Sequence, residues 1–158
     1  VPALLDKDVL FAGFVAEVQA AHGRPPGERE GDWYDAHVKV HEYGGMAAAA
    51  RQIRATGCPV MLLAPFTTAI HDAGAWAALV ADVGGEPVRL VWVRTDAATL
   101  RERLPGRARG GDSGKMADFE SFVARVRPDE PPPVPHLTVD NRTGAPPLVA
   151  QLASLPWS

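Results

Sequence analysis

Gly57-Cys58-Pro59-Val60-Met61-Leu62-Leu63-Ala64-Pro65-Phe66 is the stretch that decides the fold class. From Pro59 to Phe66 it is apolar over most of its length and does not alternate, the pattern of a strand covered on both faces. Three other runs share that pattern: Pro2–Leu5, Val88–Arg94 and His136–Val139. Between them lie stretches with helical periodicity. Asp8–Ala21 sets Leu10, Phe14, Val18 and Ala21 on one stripe, and Trp33–Ala55 contains the helix-favouring run Ala47–Ala50. Ala75–Val83, Asp96–Leu104 with Asp96 as N-cap, Ala117–Val126 and Pro146–Ala153 complete the set. Strands alternating with helices predict an α/β fold of βαβ units around a largely parallel sheet, with right-handed crossovers. His22–Asp32 and Pro128–Pro135 break the pattern and read as a surface loop and an extended connector.

The 158 residues suffice for one domain with one buried core. They are 46% hydrophobic and 22% charged, as in a soluble globular protein, and the net charge of −3 does not favour nucleic acid or an anionic membrane. No apolar run approaches the roughly 20 residues that span a bilayer. The single cysteine, Cys58, forms no internal disulfide, and no Cys/His cluster has zinc spacing; a reducing, cytoplasmic setting is expected.

Four places carry residue types suited to chemistry. At the end of the first strand, Leu4-Leu5-Asp6-Lys7-Asp8 puts two carboxylates where a parallel strand meets a helix, the usual ligand position in open α/β sheets. Asp8 there orients or deprotonates an acceptor hydroxyl or holds Mg²⁺ through water, or else Asp6 or Asp8 simply caps the helix. The second place is the basic stretch Arg101-Glu102-Arg103-Leu104-Pro105-Gly106-Arg107-Ala108-Arg109, continuing through Asp112 to Lys115. It is either a phosphate-contacting mobile loop or a solvated helix end. Its Gly114-Lys115 mimics a phosphate-binding loop, but Arg109 stands where the first glycine belongs and Met116 where Ser/Thr belongs. The third is Leu63–Thr68, either crevice lining or strand-end packing. The fourth is Val139-Asp140-Asn141-Arg142, where Asn141 meets a base or ribose or simply turns the chain.

The order of these motifs resembles the small P-loop kinases of the zeta-toxin, gluconate kinase and chloramphenicol phosphotransferase groups. The resemblance rests on the Asp6-x-Asp8 pair, Tyr34, Glu42-Tyr43, the Gly57–Phe66 run, Leu90–Arg94, Arg101-x-Arg103-Leu104, Arg107-x-Arg109, Asp112-x-x-Lys115 and Val139–Asn141. It spans nearly the whole chain. It implies a three-layer P-loop NTPase-like parallel sheet flanked by helices, a single domain over residues 1–158, and a lid at about 103–116. It implies ATP-dependent phosphoryl transfer to a small-molecule hydroxyl, with ATP and Mg²⁺ as cofactors. Asp8 then faces the acceptor and Arg109 reaches the transferring group. Arg103, Arg107, Lys115 and Asn141 serve the nucleotide. Asp6, Arg29, Tyr34 and Tyr43 shape the acceptor pocket, and no residue is assigned to a metal.

One part of that pattern lies outside the chain. In the family, a central strand and its glycine-rich loop precede the strand that ends in Asp-x-Asp. The resemblance therefore implies a sheet whose central first strand is absent here, an N-terminally truncated domain, and about 35 missing residues. Two alternatives remain open: a non-catalytic nucleotide-binding or interaction domain, and an α/β domain that binds an anionic metabolite.

Overall fold

The computed structural model describes residues 1–25, 27–107, 116 and 118–156. The chain divides into two compact units, Val1–Ala69 with Gly74–Glu86, and Ile70–Ala73 with Pro87–Ser158. The fold is α/β, with helices and two small parallel sheets of two strands each.

The first unit opens with strand β1 (Ala3–Asp6), which runs directly into helix α1 (Lys7–Ala21). Asp6 makes that junction. Its side chain accepts from the Asp8 and Val9 amides at 2.9 and 3.3 Å, satisfying two donors of the first helical turn. Helix α2 (Asp32–Tyr34), a π turn (Asp35–Lys39) and helix α3 (Val40–Ala55) follow without a break. Strand β2 (Val60–Leu63) pairs parallel with β1, Ala3 opposite Val60 and Asp6 opposite Leu63. Helix α4 (Ala73–Asp82) completes the unit.

The apolar stripe expected on α1 is not the face it buries. Leu10 and Phe14 are exposed, while Val15 is buried and Phe11 and Val18 pack with it against Tyr34, Val38 and Trp33. The buried face also takes Lys7 and Gln19, two polar residues that a hydrophobic count leaves out. Gln19 ties down the loop that follows α1: its amide nitrogen donates to the Glu28 carbonyl, and its oxygen accepts from the Gly27 amide at 3.1 Å.

In the second unit, strand β3 (Leu90–Arg94) pairs parallel with strand β4 (His136–Asp140), Leu90 opposite His136 and Arg94 opposite Asp140. Helix α5 (Ala97–Arg103) follows β3 and ends in a 3-10 turn, Leu104–Arg107. Asp96 caps α5 as expected, accepting from the Thr99 amide at 2.7 Å. Helices α6 (Phe119–Val126) and α7 (Leu148–Ala153) flank β4 in sequence. Leu104, Phe119 and Phe122 form the core here, with Leu100 and Val123 packed against them.

Each of the four strands overlaps an apolar run read from sequence; β2 and β3 lie inside theirs, while β1 and β4 extend one residue further, to Asp6 and Asp140. Coverage of both faces does not hold, however. Leu4 and Met61 face each other across the β1–β2 ladder, and with Leu63 on the same face they are 60%, 54% and 53% exposed. Val93 of β3 is exposed as well. Among the described residues, no helix is long and apolar enough to cross a membrane.

Candidate functional site

The carboxyl end of β1 carries a charged cluster built around one carboxylate. Glu42 of α3 has no exposed surface. Its Oε1 accepts from Lys7 Nζ at 3.2 Å and Arg29 Nη1 at 3.3 Å, and its Oε2 accepts from the Tyr34 hydroxyl. Arg29 Nη1 also donates to Asp8 Oδ1 at 2.6 Å, and Lys7 Nζ lies 3.0 Å from the same oxygen. Lys7 is itself buried and stands 5.9 Å from the centre of the Tyr43 ring. Two cations and two carboxylates therefore close a neutral group, with Glu42 at its dry end and the half-exposed Asp8 at its wet end.

Local sequence explains how these side chains meet. Asp8 and Lys7 are placed by the strand-to-helix junction that Asp6 caps. Arg29 is delivered by the loop after α1, which Gln19 anchors from within and the Arg24–Glu28 ion pair braces at 2.7 Å. Tyr34 and Glu42 are eight residues apart, which in a regular α-helix leaves them about 80° from a common face. The π turn between them accommodates one extra residue and takes back about 100°, so both point into the cluster.

Tyr43 occupies the next turn. Its hydroxyl accepts from the Phe66 amide at 3.2 Å, and the two rings meet edge to face. Phe66 holds a left-handed backbone at φ 49°, a conformation costly for a bulky side chain, and Tyr43 is the partner that fixes it. A cavity of about 370 Å³ lies beside the pair, lined by Tyr43, Ala47, Phe66, Thr68 and Leu79 among others.

Burial pushes the Tyr43 phenol up to about 12. Burial, and then the hydrogen bond to Glu42, raises Tyr34 further still. These are the chain's two tyrosines, so phenolate absorbance reports on this site alone. The folded protein is expected to show no phenolate signal at pH 10.5, whereas the denatured chain titrates near 10. Because the folded state holds both protons longer, their contribution to stability is complete below about pH 10. The Tyr43 part is lost as pH rises through about 12, and the Tyr34 part only at higher pH still. A folded protein whose tyrosines both ionise near 10 would contradict this burial.

The second unit gathers its polar groups at the carboxyl ends of β3 and β4. Arg103 Nη1 donates to the Asn141 carbonyl at 2.8 Å and to its side-chain Oδ1 at 3.2 Å. Asn141 is held in place by its neighbours. Thr143 donates through its amide to Thr99 Oγ1 at 2.9 Å and through its hydroxyl to Glu102 at 2.7 Å. Gln151 bonds both backbone groups of Asp140 at 2.7 Å. Asp140 pairs with Arg142 at 2.7 Å, and those hydrogen bonds hold its carboxyl down at about 2. Val93, Thr95, Thr99, Leu100, Arg103, Leu104 and Asn141 line a cavity of about 370 Å³. Apolar side chains flank it, and the Asn141 amide group is a donor on its rim.

No family model, curated protein or solved structure matches this chain.

Asp8, Arg29 and Tyr34 meet in one cluster with Tyr43 beside it, and Arg103 meets Asn141. Asp6 serves as the helix cap. Arg107 closes the 3-10 turn after α5, and Arg109 and Lys115, with most of the expected lid, lie outside the described residues. Lys7 and Glu42 are the members that the motif reading did not assign. Glu42 carried a signal, because Met46, Ala47 and Ala50 share its helical face and are all buried. A carboxylate in register with core positions needs a buried partner. Among the described residues, no group of three or more His, Cys, Asp or Glu side chains is gathered for a metal ion.

Proposed function

We propose that this domain transfers the γ-phosphoryl group of ATP to a hydroxyl of a small molecule. The observation that carries the proposal is the cluster at the end of β1. A half-exposed carboxylate, Asp8, is fixed by two cations that a fully buried glutamate holds from behind. That is a positioned hydrogen-bond acceptor at the strand end where α/β sheets bind ligands. Asp8 accepts the hydrogen bond of the acceptor hydroxyl and orients its oxygen for attack. With Lys7 and Arg29 both on its Oδ1, it works as an orienting group more than as a strong base.

The cavity at Arg103 and Asn141 suits the base of the nucleotide. Val93, Leu100 and Leu104 offer apolar surface, and Asn141 offers an amide donor. In this reading the fold is of the three-layer P-loop NTPase kind, a parallel sheet flanked by helices. The unpaired edges and the exposed Leu4, Met61 and Leu63 support that reading, since parallel sheets are ordinarily covered. A glycine-rich loop of the kind these kinases carry would hold the phosphates through its amides and lysine, and Mg²⁺ through its Ser/Thr. Mg²⁺ then arrives with the nucleotide and supplies charge neutralisation at the phosphates.

Adenosine and ADP titrated into the ¹⁵N-labelled protein test the nucleotide half. Shifts are expected at Thr95, Thr99 and Asn141, and Arg103→Ala should weaken binding about 10-fold, the scale of a hydrogen bond to a charged group. Nucleotide-induced shifts confined to other residues would remove this cavity from the proposal. Binding without any transfer in the longer protein would favour a non-catalytic nucleotide-binding domain.

A further inference from the structure

The cavity beside Tyr43 and Phe66 is lined by the first unit alone. Helix α3 contributes Tyr43, Gly44 and Ala47, and α4 contributes Ala75, Ala78 and Leu79. In each helix these positions fall on one face. Glycine and alanine are too short to fill the space they border, and about 370 Å³ stays open. Gly44 lacks a local reason to be glycine. A glycine inside a helix is unfavourable, and close packing or a left-handed backbone ordinarily accounts for one. Gly45 has such a reason, since a Cβ there would meet the Phe11 ring at 3.0 Å. Gly44 has neither: it lies within α3, and a Cβ there would meet nothing within 4 Å. The same lining holds a second irregularity, the left-handed backbone of Phe66 at φ 49°. Strain of that kind in a bulky residue gathers at ligand sites.

The lining also sets the class of ligand. An apolar cavity of about 150 Å³ already takes benzene, and small-molecule sites run from roughly 300 to 1,000 Å³. Tyr43 and Phe66 meet edge to face with their centres 5.5 Å apart, an arrangement that a third ring can extend. The two charged members of the lining, Lys39 and Asp82, oppose each other in sign, so it holds no net charge to attract an ion. We propose that this cavity binds an uncharged aromatic compound of one or two rings. Such binding needs no nucleotide and no phosphoryl transfer.

Benzamide, benzoate and benzamidine share one shape and differ in charge. Each is titrated at pH 7 into protein labelled at the alanine methyl groups. Benzamide is expected to shift Ala47, Ala75 and Ala78. The two ions should bind at least about 10-fold more weakly, because a charge is costly to take into apolar surroundings. Gly44→Leu and Ala78→Leu each place a side chain in the open space, and each should weaken benzamide binding at least about 10-fold. Gly44→Leu should melt no lower than the parent, since leucine favours the helix and glycine does not. Ala78→Leu serves if Gly44→Leu fails to fold, and the charge preference of the unaltered protein decides alone if neither folds. No shift at the three alanines, an ion bound as tightly as benzamide, or undiminished binding in a folded variant overturns the proposal. Alanine shifts that grow with protein concentration alone would overturn it too, by assigning the cavity to a second copy of this chain.

Discussion

Glu42→Ala is expected to cost the first unit most of its stability. The substitution leaves Lys7 buried without its partner, and removing one side of a buried ion pair costs about 3–5 kcal/mol. Domains are stable by only about 5–15 kcal/mol in all. At the roughly 4–8 °C per kcal/mol typical of a unit this size, the melting temperature should fall by about 12–40 °C. Two companions isolate the cause. Glu42→Gln keeps the volume and part of the hydrogen bonding, so it should lose less. The Lys7→Met/Glu42→Met pair removes both charges, and should recover much of the loss, because well-packed apolar side chains replace buried ion pairs at little cost. Thermal denaturation of the four proteins decides it. A melting point for Glu42→Ala within about 3 °C of the parent would mean that the cluster is solvated and that Glu42 does not organise it.

Asp8→Ala is the second large effect, and its readout is activity. Asp8 is half exposed and its ion pairs are wet, so its removal should change stability by less than about 1 kcal/mol. On the proposed function, phosphoryl transfer should fall about 10²–10⁴-fold, the range for loss of a positioned acid–base group. Nucleotide affinity should stay within about twofold, as for a residue that acts only on the acceptor side. Asp8→Asn, which keeps an acceptor oxygen, should lie between. Turnover in Asp8→Ala above a tenth of the parent's would assign the acceptor to another group.

Strand placement was legible because these parallel strands leave unbroken apolar runs, and each of the four runs overlaps its strand to within one residue at the carboxyl end of β1 and β4. Asp96 as a cap was legible for a local reason, since a cap needs only its own next three residues. The buried face of α1 was not. Leu10 and Phe14 make the better hydrophobic stripe, yet the helix turns Lys7 and Gln19 inward, because both have long-range partners that no pattern displays. Asp8, Arg29, Tyr34 and Tyr43 were each visible as residue types. What joins them was only half legible, because the core-facing position of Glu42 shows that it needs a partner but not that the partner is Lys7, 35 positions away. Phe66 likewise gave no sign of its left-handed backbone, which depends on the Tyr43 hydroxyl 23 positions away.

The π turn at Asp35–Lys39 has a consequence of a different kind. It makes the site depend on counting as well as on chemistry. An ordinary helix tolerates a side-chain change at most surface positions, and its geometry survives. Here the angular agreement between Tyr34 and Glu42 exists because the segment holds one residue more than a regular helix would. Shortening it by a single position would swing Tyr34 off the carboxylate while leaving every member of the cluster in the sequence. Descent from a common ancestor would then have to preserve the spacing between these two residues more strictly than the identity of the seven that separate them.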